Sequence, residues 1–158
     1  MKKMRMVVAA AVALALAGCA GRPFTATTYG PMGLLGGYSE KEVEPGVWRV
    51  TGAGNGIAEM GFGRNVAVYR AAELMKANGF SHFQVINQKG EMRMVGVGSP
   101  SGFAGETLNL TVRGTNDPAP PLECRAKQPT ACMTLSVDTI LASVGPKLTF
   151  RKGRAPAQ

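Results

Sequence analysis

The first nineteen residues constrain this chain most, because they decide which residues remain when the domain folds and in which compartment. Lys2, Lys3 and Arg5 give a basic start, Val7 to Leu16 is an unbroken run of Val, Ala and Leu, and Ala17 and Gly18 lead to Cys19. A basic start, a short apolar stretch and a small-residue cleavage site are the three parts of a secretory leader. A spanning helix needs roughly 20 apolar residues, so this run is too short to persist as a membrane anchor. The folded protein is expected to form from the residues that follow, outside the cytosol.

Leu16-Ala17-Gly18-Cys19 resembles the bacterial lipobox, with Cys19 as the acceptor. The resemblance implies diacylglyceryl transfer to the Cys19 sulfur, cleavage between Gly18 and Cys19, and acylation of the new amino group. An ordinary secretory signal with a coincidental cysteine is the alternative. One acyl chain holds a protein only marginally, whereas two or more anchor it stably at about 0.8 kcal/mol per buried methylene. An Asp after the cysteine would favour retention at the inner membrane by similarity to lipoprotein-sorting patterns. Ala20 stands there instead, which points to the outer membrane, facing the periplasm.

Without the leader the chain keeps about 140 residues, the size of one domain. Three of the 18 basic residues leave with it, so 15 face the 10 acidic ones and the formal charge falls from +8 to +5. A charge of that size suits anionic lipid head groups or an acidic wall polymer, or another envelope protein as partner, and no nucleic acid is expected. Cys124 and Cys132 remain, and in an oxidising compartment a pair argues for a disulfide. Closing a nine-residue loop stabilises the fold by about 2.5 kcal/mol in the chain-entropy account. The spacing is not CxxC and nothing nearby completes a zinc site; free thiols are the alternative.

Residues 19–37 read as a lipidated cysteine and tether, rich in Thr, Gly and Pro without sustained periodicity. Residues 38–150 read as one domain and residues 151–158 as a basic tail. Val47 to Thr51 is strand-like. Arg64 to Asn78 has helical period, with Ala67, Val68, Ala71, Leu74 and Met75 on one stripe and Arg70, Glu73 and Lys76 opposite. Asn78-Gly79 ends it, and the two alanines suit close approach to a sheet. Phe80 to Asn87 and Glu91 to Val97 read as strands separated by a turn at Gln88-Lys89-Gly90. Thr107 to Arg113 alternates, with Leu108, Leu110 and Val112 facing inward. Ser136 is placed to cap a short helix over Val137 to Val144, before Gly145-Pro146 and a last short strand. This order predicts an α+β fold: a small, mainly antiparallel sheet with one principal and one short helix on one face.

Gly37-Tyr38-Ser39-Glu40, Trp48-Arg49-Val50, Gly54-Asn55-Gly56, Tyr69-Arg70-Ala71-Ala72-Glu73-Leu74 and Asn78-Gly79-Phe80 together resemble a family of uncharacterised bacterial lipoproteins. Its members carry a Gly-Tyr-Ser-Glu segment, a strand ending in Gly-Asn-Gly and an Arg-Ala-Ala-Glu-Leu helix. The resemblance spans roughly residues 36–85 and implies no reaction, ligand or cofactor.

Candidate chemistry is sparse. Gly52-x-Gly54-x-Gly56 lacks dinucleotide-binding spacing and reads as a strand-ending turn or bulge. His82 is the single histidine, so at most one imidazole base is available, and its neighbours suggest a half-exposed strand position. Arg70 and Glu73 read as a surface ion pair with possible partner contact. Met92 and Met94, with Met60 and His82, offer a soft copper(I) site as the alternative to adaptable core packing. The expectation is a non-enzymatic envelope lipoprotein without a cofactor, with a copper(I)-handling protein as the alternative.

Overall fold

A computed structural model describes residues 25–95 and 102–151. The lipobox, with Gly18 and Cys19, and the tail from residue 152 lie outside the described residues. Five strands form one antiparallel sheet: β1 (Gly36–Glu44), β2 (Val47–Asn55), β3 (His82–Val95), β4 (Gly102–Thr115) and β5 (Met133–Ser136). Their spatial order is β1-β2-β4-β3-β5. Helix α1 (Phe62–Ala77) crosses β2 and β4, and the short α2 (Val137–Val144) packs beside it. The fold is α+β, with one main and one short helix.

Alternation explains the sheet. Leu108, Leu110 and Val112 on β4 and Val50 on β2 are buried towards α1, which presents Val66, Ala67, Ala71 and Met75 to the core. Tyr69 and Ala72, outside the expected stripe, are also fully buried, so the covered face of α1 is wider than a one-sided helix would show. The cause is a second layer: residues before β1 and after α2 fold over the flank that an isolated helix would leave wet.

Gly52 sits in the middle of β2, not in a strand-ending turn. A Cβ there would collide with the Gly63 carbonyl oxygen and the Ala67 amide nitrogen, so the missing side chain sets how closely α1 lies on the sheet. The helix start is held from the sheet as well, because the Glu106 carboxylate on β4 accepts the Arg64 amide at 3.2 Å. At the far end Gly79 adopts φ +80°, the left-handed geometry that closes a helix cheaply only with glycine. Ser136 caps α2 as expected, accepting the Thr139 amide at 3.4 Å.

Three expectations are corrected. Gln88-Lys89-Gly90 is not a turn: β3 runs through it, paired Gln88↔Leu110, Lys89↔Asn109 and Gly90↔Leu108. Thirteen residues of β4 pair with β3, and pairing on that scale outweighs local turn preference. Next, β1 and β5 were not expected as strands, and the last short strand reduces to one bridge, Tyr29↔Phe150. β1 reads GGYSEKEVE, and charge hides its period because it is an edge strand, where charge guards against pairing with other chains. Finally, residues 25–37 are not a tether. Thr27 and Tyr29 are buried, and the Tyr29 amide donates to the Thr149 carbonyl at 2.7 Å.

Replacing Gly52 with alanine is expected to cost about 2–3 kcal/mol in denaturant unfolding, as overpacking against immobile backbone does. Gly30→Ala, where an added Cβ meets nothing within 4 Å, should be close to neutral.

Candidate functional site

Two segments far apart in sequence, on β1 and α1, meet in space. Glu40 stands on β1, with Tyr38 two residues earlier on the same face. Arg70 and Glu73 stand one turn apart on α1. The Arg70 guanidinium grips Glu40 through Nη2–Oε1 at 2.7 Å and Nε–Oε2 at 3.3 Å, and reaches Glu73 through Nη1–Oε2 at 2.9 Å. It also lies over the Tyr38 ring, 4.5 Å from the centroid. Tyr29, from the segment before β1, donates its hydroxyl to the Glu73 carboxylate. The Tyr29 ring packs against Tyr38, Tyr69 and Phe150 with centroids 5.0, 5.1 and 5.3 Å away.

This clasp joins four chain segments. Arg70 and Glu73 keep only 19% and 12% of their side-chain surface and brace the segments around them. Burial and then the Glu73 bond hold the Tyr29 phenol far above its ordinary range. Burial disfavours charge on Arg70, but the bonds to Glu40 and Glu73 outweigh it and keep the guanidinium charged.

On the opposite face of the sheet, the Cys124–Cys132 disulfide is formed, with Cα atoms 5.7 Å apart. Its loop lies across one end of β3 and β4. The Arg125 amide donates to the Ile86 carbonyl at 2.7 Å, and Gln84 and Thr134 both donate to the Ala119 carbonyl. A bulge between Val85 and Asn87 gives β3 one extra residue, Ile86. Ile86, Val47 and Ala131 are buried apart from the main core. Arg125 pairs with Glu44 and Glu123, and Arg113 with Glu123. Those carboxyls are held below their usual range, Glu44 by the Arg125 bond and Glu123 by Arg125 and then Arg113.

Between this loop and the start of α1 runs a groove of about 630 Å³ beside the half of β3 that β5 does not cover. Arg64, Lys89, Arg125 and Lys127 line it, and no carboxylate does. Arg125 is committed to Glu44 and Glu123, and Lys89 to Glu91 at 2.9 Å. Arg64 and Lys127 enter no ion pair among the described residues. Four cations along an open strand edge suit an anionic or carboxylate-bearing partner. Sequence reading missed this groove, because its cations come from four distant positions with no common spacing.

His82 cannot join the methionines of the alternative copper(I) set. His82 opens β3, where its ring nitrogen contacts the Ser81 hydroxyl at 2.9 Å, whereas Met92 lies ten residues further along the same strand. At about 3.3 Å per residue that is roughly 30 Å, so one ion cannot join them. The Met94 side chain lies outside the described residues.

No protein-family model, curated protein or solved structure matches this chain.

Two outcomes test this account. Tyr29→Phe keeps the ring stack but strips Glu73 of a donor, and should lower unfolding free energy by about 1–2 kcal/mol; Arg70→Met, leaving Glu40 and Glu73 without their shared cation, should cost more. For the loop, carboxyls with lowered folded pKa values stabilise above the unfolded value of about 4.3 and lose that contribution as pH falls through the folded value. Acidification from about pH 6 to about pH 3 should therefore lower the protection factor of the Arg125 amide, its exchange rate taken relative to the intrinsic rate at each pH, well before those of Val50 and Leu110.

Proposed function

We propose that this protein is a lipid-anchored envelope lipoprotein whose domain acts as a binding or structural module, not as an enzyme. The observation that carries the reading is the leader ending in Leu16-Ala17-Gly18-Cys19, where a thiol follows small residues at the point of cleavage. The disulfide supports it independently, since structural bridges belong to secreted and periplasmic proteins. The outer membrane is the proposed address, on the strength of Ala20.

The basic groove supports an anionic partner, either an acidic envelope protein or a wall component. A partner that lies along the β3 edge would gain main-chain hydrogen bonds from the unpaired strand and charge complementarity from Arg64 and Lys127. The ionisable clasp around Arg70 takes no part in that, because its groups are spent on one another.

Metabolic labelling with palmitate should mark the full chain and fail to mark Cys19→Ser, which should leave the membrane fraction. An unlabelled wild-type chain, or unchanged localisation of Cys19→Ser, would sink the reading. Crosslinking from membranes should recover a partner in amounts that fall several-fold in Arg64→Gln/Lys127→Gln.

A further inference from the structure

Three candidate surfaces stand outside the clasp: the basic groove, the disulfide loop and the apolar end of the sheet. The last carries the most. One line of residues crosses the sheet near this end, from Gly36 through Gly54–Asn55 and Gly105–Glu106 to Met92, and the paired β3 and β4 run three residues further, to Val95 and Gly102. Three inter-strand gaps make that line roughly 14 Å wide. Just beyond it, Gly33 and Gly36 exchange backbone hydrogen bonds of 2.9 and 3.2 Å, closing a tight hairpin with Leu34 and Leu35 as its two tip residues. Hairpin tips ordinarily hold Gly, Asn, Asp, Ser or Pro. Here Leu34 is fully exposed, and Leu35, Met32, Ile57, Met60 and Met92 stand exposed around the same end. Among the described residues eight large apolar side chains are exposed, and six of them gather there.

The same end receives the chain from Cys19. The Asn55 side-chain amide donates to the Thr25 carbonyl at 2.9 Å, the Asn55 backbone amide donates to the Thr27 hydroxyl at 2.9 Å, and that hydroxyl donates to the Leu35 carbonyl. Five residues lie between Cys19 and Thr25, and the six steps reach at most about 22 Å even when fully extended. A domain of this size is roughly 30 Å across, so the pinned end cannot turn away from the point of attachment.

We propose that this end of the sheet is seated in the bilayer that holds Cys19, with Leu34 and Leu35 inserted at the boundary of head groups and acyl chains. The inference rests on the lipoprotein reading and adds an orientation to it. Lipid chains on Cys19 hold the tip at high local concentration, so even weak insertion persists. Glu59 and Arg93, exposed at the same end, stay in the head-group layer and limit depth. The basic groove then stands beside the membrane surface, open to the periplasm.

The test uses the full lipidated chain in vesicles of phosphatidylethanolamine and phosphatidylglycerol. Trp48, the single tryptophan, lies six residues up β2 from the membrane-facing line, about 20 Å away, and is the internal reference. In Leu34→Trp/Trp48→Phe, brominated acyl chains should quench the new indole roughly threefold or more above the quenching of native Trp48, since interfacial insertion reaches about 5–10 Å. Hydrogen exchange at residues 32–36 and 57–60 should be slowed by vesicles in the wild type and not in Leu34→Asp/Leu35→Asp, whose unfolding midpoint and palmitate label should be unchanged. An unquenched indole on a labelled chain would overturn the seat and leave the anchor standing. Loss of the label itself would overturn both. Protection that arises without lipid and grows with protein concentration would assign the face to a second copy and overturn the membrane seat.

Discussion

The guanidinium of Arg70 holds this molecule's periphery to its core. It sits on the flank of the main helix, gripped by Glu40 from the edge strand and Glu73 from its own helix, with the Tyr38 ring against its face. A charge this enclosed is tolerated only where carboxylates satisfy it, and here the second carboxylate also takes the Tyr29 hydroxyl. That last bond draws the segment before β1 into the fold. The stacked rings of Tyr29, Tyr69 and Phe150 then close the second layer over the helix. Beside the clasp, bonds between Asn55 and both Thr25 and Thr27, and backbone bridges, also hold the described residues before β1.

The two faces of the sheet are built by different physics. Under the helices, apolar alternation and a glycine that admits close approach make a dry core. On the other face, a short covalent loop covers Ile86 and Val47 and is staked down by a chain of ion pairs, Glu44–Arg125–Glu123–Arg113. The loop is too short to form a core of its own, so a disulfide and charge take over where apolar area is scarce.

On the proposed reading these parts give the molecule a direction. The clasp fixes the segment that follows the anchor, the anchor's short reach fixes which end meets the bilayer, and the basic groove is left facing the periplasm. Binding and attachment thus occupy different regions, and a partner can be held beside the membrane without competing with lipid. Arg70, the most conspicuous cation in the helix, contributes to this by positioning chain segments and not by touching a partner.

Much of the fold was legible from local signals: β4 alternates, which reports burial directly, and the stop at Gly79 and the cap at Ser136 are local chemistry. The disulfide was legible because the leader, as read, implies an oxidising compartment, where two cysteines have one simple solution. β1 was not, since an edge strand protects itself with charge and so loses its pattern, and the turn-like Gln88-Lys89-Gly90 was overruled by pairing along all of β4. Arg70 and Glu73 looked like surface residues because helical spacing shows which residues share a face, not what later covers that face. The sequence by itself determined the fold class, the stop of α1 and the cap of α2, which depend on neighbours along the chain. Only the tertiary structure decided that Tyr29 closes over Glu73, that four scattered cations line one groove, and that apolar residues from the hairpin, the loop before α1 and β3 share one end. Those arrangements depend on contacts between residues tens of positions apart, which no local pattern records.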